Sequence, residues 1–373
     1  MVFLKAFCET NRVLEKAQIC YCYNMTIFAP AKVNLHLAVM DKRHDGFHNL
    51  ESLFLLINFG DYLHFELKTD KNIKIVMNEK NFTANQNGWK NYTTNHTNQH
   101  EHKNSLFPTP HSPHPTPHSL LPTPHSPHPT PHTPLPTQKN IIYKAVILFK
   151  ELTGFDKGIN IIVEKKIPVG GGLGGGSSDA AAALLALNKI SGSPLNFKQL
   201  LEAAANLGSD VPFFIHKTTA ARVTGRGEII EPVEIPRLFL TLVNPGFPSG
   251  TAAAFNLLDK QRSLKNFNRE PQIHVPLIQN IFFESAKTGK IFDAANSFKN
   301  FKNDFLEVFP EKEKLIYKNI IFELQENGAV YANLSGTGST CFGVFNDEEK
   351  AEKAAANLRG KWEFVHRCNP VIQ

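Results

Sequence analysis

The sequence predicts an α+β protein built from two domains. Three observations carry this. At 373 residues the chain exceeds the usual size of one domain. Its strand-like and helix-like segments are mixed without strict alternation. A composition of 42% hydrophobic and 20% charged residues is that of an ordinary globular chain.

Taken in order, residues 1–24 show neither a long apolar run nor a Ser/Arg-rich transit composition, and they are expected to be a leader outside the fold. From Met25 the run Thr26–Leu37 alternates Val33, Leu35 and Leu37, as a strand does, and Leu53–Phe59 is a second strand-sized apolar run. A tandem repeat follows. The eleven residues Pro108–His118 recur letter for letter at Pro122–His132, and proline supplies neither ladder donors nor helix interior. With the polar stretch before it, this segment reads as a solvated, disordered insertion from about Phe82 to Gln138.

Beyond it, Lys139–Leu152 carries Ile142, Ala145, Val146 and Phe149 on one helical face. A strand at Gly158–Val163, a glycine loop, a helix from Ser177 to about Asn188 and a helix at Phe197–Leu207 come next. Phe213–His216 and Ala220–Thr224 read as strands with a turn at Gly225-Arg226-Gly227, and Leu238–Val243 as another strand. The last third offers helices at Phe301–Phe309, Leu315–Glu326 and Glu348–Leu358, and strands at Ala329–Leu334 and Cys341–Phe345. These segments divide into an N-terminal domain at 25–235 and a C-terminal domain at 236–373.

The loop Pro168–Ser178 is the most informative segment. Six of the seven positions Gly170–Gly176 are glycine, so the backbone can take positive φ and bring its N–H groups close to a ligand. An Ala-rich helix follows at once, and its positive end adds to the same field, which suits a phosphate. A Walker loop would need a lysine after the last glycine, where Ser177 stands. Gly170, Gly172 and Gly175 satisfy G-x-G-x-x-G, but a helix rather than a second strand with a terminal acid follows. A plain glycine linker would not be flanked by a strand and a helix.

Four polar groups accompany the loop. Lys32 and Asn34 share one side of a strand. Asp45-Gly46-Phe47-His48 is a turn with an aromatic ring and an imidazole, Asp210 sits at a junction before the apolar run Val211–Ile215, and Ser335–Ser339 is a shorter glycine loop. An alcohol kinase needs a proton acceptor and positive charge near the reacting oxygens, and Asp210 and Lys32 are candidates. Asp210 also reads as a turn residue, and Lys32 as a solvent-facing lysine. The residues alone leave both open.

In their order, Pro30–Leu35, Asp45–His48, Pro168–Ala182, Leu207–Pro212 and Ser335–Ser339 resemble the GHMP kinase superfamily, in particular its branch acting on a cytidyl diphosphate sugar alcohol. The resemblance runs from Met25 to about Leu358 and leaves out the insertion. It implies a ribosomal-protein-S5-domain-2-like N-terminal domain and a ferredoxin-like C-terminal domain. The implied reaction is ATP-dependent phosphorylation of the 2-hydroxyl of a diphosphocytidyl methylerythritol, giving ADP, in non-mevalonate isoprenoid precursor synthesis. Asp210 would be the base and Lys32 its cationic partner. Pro168, Val169, Gly170, Gly171, Gly172, Leu173, Gly174, Gly175, Gly176, Ser177 and Ser178 would wrap the ATP phosphates, Ser178 would approach magnesium, and Lys165 and Asn140 would lie near the adenine. Asn34 and His48 would hold the cytidyl substrate, with the base on Phe47, where the family often has tyrosine, and on Phe54. The alternatives are a kinase for homoserine or mevalonate and, from another class, a non-catalytic nucleotide-binding protein.

The mild net charge of +6 forms no basic stripe, so no nucleic-acid partner is expected, and no apolar run suits a membrane. Five cysteines without a paired framework, none with zinc spacing to the nine histidines of residues 96–132, fit a reducing, cytoplasmic compartment; a monomer or homodimer is expected.

Overall fold

The computed structural model describes residues 25–80, 89–93, 140–216, 218–264 and 298–371. The leader and nearly all of the expected insertion lie outside the described residues. The exception is a strand at Trp89–Thr93, inside the stretch read as insertion.

Two sheets organise the chain. The first is built on a long bent hairpin, β1 (Met25–Lys42) against β2 (His48–Lys68). Register shifts at Pro30/Ala31, Asn34/His36 and Val39/Lys42 bend it. Added to it are β3 (Ile73–Lys80), β4 (Trp89–Thr93), β5 (Gly158–Lys165), β6 (Ala220–Thr224) and β7 (Ile229–Pro232), in the order β4-β3-β5-β2-β6-β7 with β1 on β2. Among the described strands, only β3 and β5 pair in parallel. The second sheet comprises β8 (Phe239–Asn244), β9 (Tyr331–Leu334), β10 (Cys341–Phe345) and β11 (Phe364–Cys368), ordered β11-β8-β10-β9 and antiparallel throughout. Numbered within the domain, that order is 4-1-3-2 with helical crossovers, the ferredoxin-like arrangement expected from the sequence.

Helices α1 (Ile141–Thr153), α2 (Gly175–Ile190), α3 (Phe197–Leu207) and α4 (Val211–Ile215) cover one face of the first sheet. Helices α5 (Thr251–Leu264), α6 (Glu311–Glu326) and α7 (Glu348–Leu358) pack on the second. The expected face of α1 is the buried one: Ile142, Ala145, Val146 and Phe149 all point inward. Its start is fixed by Asn140, whose Oδ1 accepts from the Ile142 N–H at 2.9 Å, and its end by Gly154 at φ 70°.

The central hairpin is buried on both faces, which sets up the site. Val33, Leu35, Leu53 and Leu55 face the second sheet, against Leu240, Leu242, Phe342 and Val344. Lys32 and Asn34, one residue out of phase, therefore point the other way, toward the glycine loop. Polar side chains on such a strand are buried by default and must find partners.

Several sequence expectations are corrected. Val211–Ile215 is one turn of helix, not the start of a strand. Five apolar residues fit either form, and Pro212 in the first turn, where no N–H is needed, suits the helix. Residues 301–309 form successive tight turns, Leu306 N–H to Asn303 O and Val308 N–H to Phe305 O, rather than a helix. Their Phe301, Phe305 and Phe309 fill the core without helical repetition. Helix α2 begins at Gly175, two residues earlier than expected, and α5 and β3 have weak periodicity that the sequence reading passed over.

Candidate active site

A cavity of about 700 Å³ opens between the glycine loop, the bent β1 strand and the start of α5. Its wall includes every residue from Ile167 to Ser177, together with Lys32, Asn34, Asn140, Lys165 and Asp210.

The loop is held from behind by its carbonyls. Those of Gly170, Gly171, Gly172 and Leu173 accept, in turn, from Ser249 N–H (2.9 Å), Thr340 N–H (3.1 Å), Ser335 Oγ (2.9 Å) and Lys32 N–H (3.0 Å). Gly170, Gly172 and Gly174 alternate at φ 66°, 75° and 70° with residues of ordinary φ. That alternation is the backbone form of an anion-binding nest. Gly174 is also the N-cap of α2 and has no side chain to cap it, so the helix presents its first N–H groups and positive end to the same space.

Packed against the loop at Gly174, Lys32 is buried and oriented on three sides. Its Nζ donates to Asn34 Oδ1 at 2.5 Å, lies 3.4 Å from Asp210 Oδ2, and sits 4.3 Å from the centre of the Phe54 ring. Asn34 is fixed in turn: its Nδ2 donates to Ser52 Oγ at 2.9 Å, and its N–H to Ser335 Oγ at 3.2 Å. Asp210 occupies the N-cap position of α4 but does not cap it, so its carboxylate, about one-third exposed, is left for Lys32 and the cavity.

Lys165 is buried between two acids, with Nζ 2.5 Å from Asp61 Oδ2 and 2.8 Å from Asp179 Oδ2. Burial works against its charge, but Asp179 and Asp61 overcome that and hold the ammonium well above the usual lysine range. Burial pushes Asp179 above the usual carboxylate range, against the pull of Lys165. Asp61 Oδ1 also accepts from the N–H groups of Lys166 and Ile167, which fixes the chain as it enters the loop. Asp179 keeps one oxygen, Oδ1, buried without a hydrogen-bond partner. Neither acid was singled out from the sequence. Asp61 sits in an unremarkable strand, and only the pairing with Lys165 reveals it.

The other expected residues are placed as follows. Asn140 is on the cavity wall, with its Oδ1 used as the α1 cap. Ser178 lies just off the wall, its buried Oγ without a hydrogen-bond partner. Phe54 is a buried ring, edge-on to Phe213 and beneath Lys32. One face lies under the Lys32 ammonium, and the ring forms part of the cavity wall. Phe47 is half exposed on its turn, under the guanidinium of Arg226 at 5.1 Å, and neither it nor His48 belongs to the cavity wall. His48 is buried beside the wall, stacked on Phe255 with ring centres 5.3 Å apart. Phe255 lines the cavity together with Phe54 and Phe305, and nothing in the sequence marks it because α5 carries no recognisable motif. Among the described residues, no cluster of three or more His, Cys, Asp and Glu side chains could hold a metal unaided, and no helix is long and apolar enough to cross a membrane.

Comparison with known proteins agrees with this geometry. The GHMP kinase N-terminal domain matches residues 140–218, and the GHMP kinase C-terminal domain matches residues 293–363. A 4-diphosphocytidyl-2-C-methyl-D-erythritol kinase of Thermodesulfovibrio yellowstonii is 31% identical over 345 residues, 91% of this chain and 95% of that protein. The enzyme of that name from Geobacter metallireducens is 30% identical over 336 residues, 90% of this chain and 94% of its own. Among solved structures, a 4-(cytidine 5'-diphospho)-2C-methyl-D-erythritol kinase superposes with a TM-score of 0.64 at 24% identity, covering 94% of this chain and all of that one. A homoserine kinase from Cytophaga hutchinsonii gives 0.57 at 16%, covering 93% and 94%.

Proposed function

We infer the reaction from the family: the chain belongs to the 4-diphosphocytidyl-2-C-methyl-D-erythritol kinases, a branch of the GHMP kinases. It transfers the γ-phosphoryl group of ATP to the 2-hydroxyl of the cytidyl diphosphate sugar alcohol, giving the 2-phosphate and ADP in non-mevalonate isoprenoid precursor synthesis.

The observation that carries the reading is the Lys32–Asp210 pair, 3.4 Å apart, with Lys32 packed beside the glycine nest at Gly174. The nest and the α2 N-terminus hold the ATP phosphates. Asp210, partly open to the cavity, takes the proton of the acceptor hydroxyl as its oxygen attacks phosphorus. Lys32, which Asn34 and Phe54 keep from turning away, stabilises the charge on the transferring group. Asn140 and Lys165 shape the nucleotide end, and the Lys165–Asp61 contact keeps the loop entrance rigid. At the other end the cytidyl group lies against Phe255, which His48 backs.

Magnesium suits this site. The unpartnered Asp179 Oδ1 and Ser178 Oγ are hard oxygen ligands beside the nest, the donor type this ion takes together with substrate phosphates. Bound there, it would neutralise charge on the triphosphate. A cytoplasmic setting is supported by Cys341 and Cys368, both buried free thiols.

Asp210→Asn keeps the size and removes the base. Turnover is expected to fall by about a hundredfold or more while ATP affinity stays within about twofold. Near-normal turnover would remove Asp210 from the mechanism.

A further inference from the structure

Helix α5 presents Thr251, Phe255 and Asp259 at a spacing of four, hence along one face. Thr251 and Phe255 belong to the cavity wall, and Asp259 lies one turn further on. Its carboxylate bridges two cations or donors from the first sheet. Oδ1 is 2.7 Å from His48 Nε2, and Oδ2 is 2.7 Å from Lys42 Nζ. The His48 ring is stacked on Phe255, with an interplanar angle of 25°, and Phe305 meets Phe255 edge-on at 4.9 Å. The Phe255 ring is thus clamped between a partner on its face and another at its edge. Only one of those, the imidazole, is held by a hydrogen bond.

We propose that Asp259 is a positioning residue for the acceptor site, acting through His48 to set the ring on which the substrate base rests. The proposal rests on the cytidyl reading of the acceptor given above. With Asp259 accepting at Nε2, that ring nitrogen carries a proton and the imidazole is held at one edge. The same bond fixes the tilt of the imidazole plane. Because that plane lies along the face of Phe255, the tilt is passed to a ring that lines the cavity. A base stacking on Phe255 then meets a surface already oriented, and less ordering is left to the binding step. Lys42 is more than half exposed and holds only the outer oxygen, so it contributes little to this alignment. Arg262, one turn beyond, donates to the carbonyls of Met40 and Val39, so α5 stays docked on β1 without Asp259. Docking and ring alignment are therefore separable.

The test is steady-state kinetics of the full-length enzyme with the cytidyl diphosphate substrate. Asp259→Ala is expected to raise KM for that substrate about tenfold, with kcat and KM for ATP within about twofold. His48→Gln is expected to do the same, and the double variant to be no worse than the more severe single one, as for two residues acting through one contact. Lys42→Ala is expected to stay within twofold on all parameters. If Asp259→Ala does not fold, the near-isosteric Asp259→Asn serves, with a KM rise of at least threefold and an unchanged kcat expected. An unchanged KM for the cytidyl substrate overturns the proposal. So does a matching loss in Lys42→Ala, or a joint loss of kcat and both KM values, since these mark plain docking of α5. A parent enzyme that does not turn over the cytidyl substrate overturns the acceptor reading itself. Parent turnover with unaltered variants overturns the role of Asp259 alone.

Discussion

Replacing Gly172 with alanine puts a methyl group where the second glycine loop already lies. An ideal Cβ at this position falls 2.1 Å from the Ser335 carbonyl oxygen and 2.9 Å from that of Gly338. Both are backbone atoms, so neither can swing aside as a side chain could. The residue also holds φ at 75°, a conformation that costs an alanine about 1–2 kcal/mol. Relief of the clash requires the two loops to part, which breaks Ser335 Oγ–Gly172 O and Thr340 N–H–Gly171 O, each worth about 1 kcal/mol. Together the expected destabilisation is about 3–4 kcal/mol, a large share of the roughly 5–15 kcal/mol that holds a typical protein folded. In a thermal melt this corresponds to a fall on the order of 10 °C. Titration calorimetry is expected to show ATP affinity reduced at least tenfold, because the nest loses its alternating geometry. Gly176→Ala is the internal control for stability. Its Cβ would meet only Ile141 Cγ2, at 3.7 Å, within helix α2, where alanine gains about 0.5–1 kcal/mol over glycine. If Gly172→Ala melts within 2 °C of the parent and binds ATP equally well, the interlocked-loop reasoning is refuted.

Two further outcomes bear on the buried charges. Asp61→Ala leaves Lys165 with a single acid and strips the acceptor from the N–H groups of Lys166 and Ile167, so urea unfolding is expected to show a loss of about 3–5 kcal/mol. A loss below 1 kcal/mol would mean that Asp179 alone satisfies the cluster. His36 is buried, and burial, aided by Lys302 and opposed by Asp304, lowers its pKa to about 4. The unfolded chain therefore takes up this proton first as the solution is acidified. The contribution of His36 to stability is complete above pH 6.5 and is lost as pH falls toward 4, by about 3 kcal/mol in all. Urea titrations across that range should show a shallower slope for His36→Asn than for the parent, and equal slopes would contradict the assignment.

The parts of the molecule that could be read from the sequence are those whose signal is local. The apolar face of α1 repeats at helical spacing over a full thirteen residues, and the glycine loop announces a special backbone by composition alone. Lys32 and Asn34 could be placed on one side of a strand because β periodicity is strict. Five apolar residues at Val211–Ile215 carry no such period, and tertiary packing decided between helix and strand. The aromatic run through Phe301, Phe305 and Phe309 has helical spacing, yet it is folded as turns that hydrogen-bond to β1: Leu37 N–H donates to Lys302 O, and Asp304 N–H to Leu37 O. Pairings between distant segments were invisible for a different reason. Asp61 and Lys165 lie 104 residues apart, and His48 and Asp259 lie 211 apart, so nothing in either neighbourhood marks them as partners. Phe255, which stacks on His48 and lines the cavity, stands on α5 far along the chain, so nothing beside the Phe47-His48 turn marks it.

The nest is expected to hold ATP while the Lys32–Asp210 pair acts on a cytidyl diphosphate alcohol. Coupled ADP release, run in parallel with that substrate, homoserine and mevalonate, tests it most directly. The expected result is steady turnover of the cytidyl substrate, with kcat/KM for the other two lower by about a hundredfold or more. Comparable turnover of homoserine or mevalonate, or no turnover of any of the three, would contradict the account.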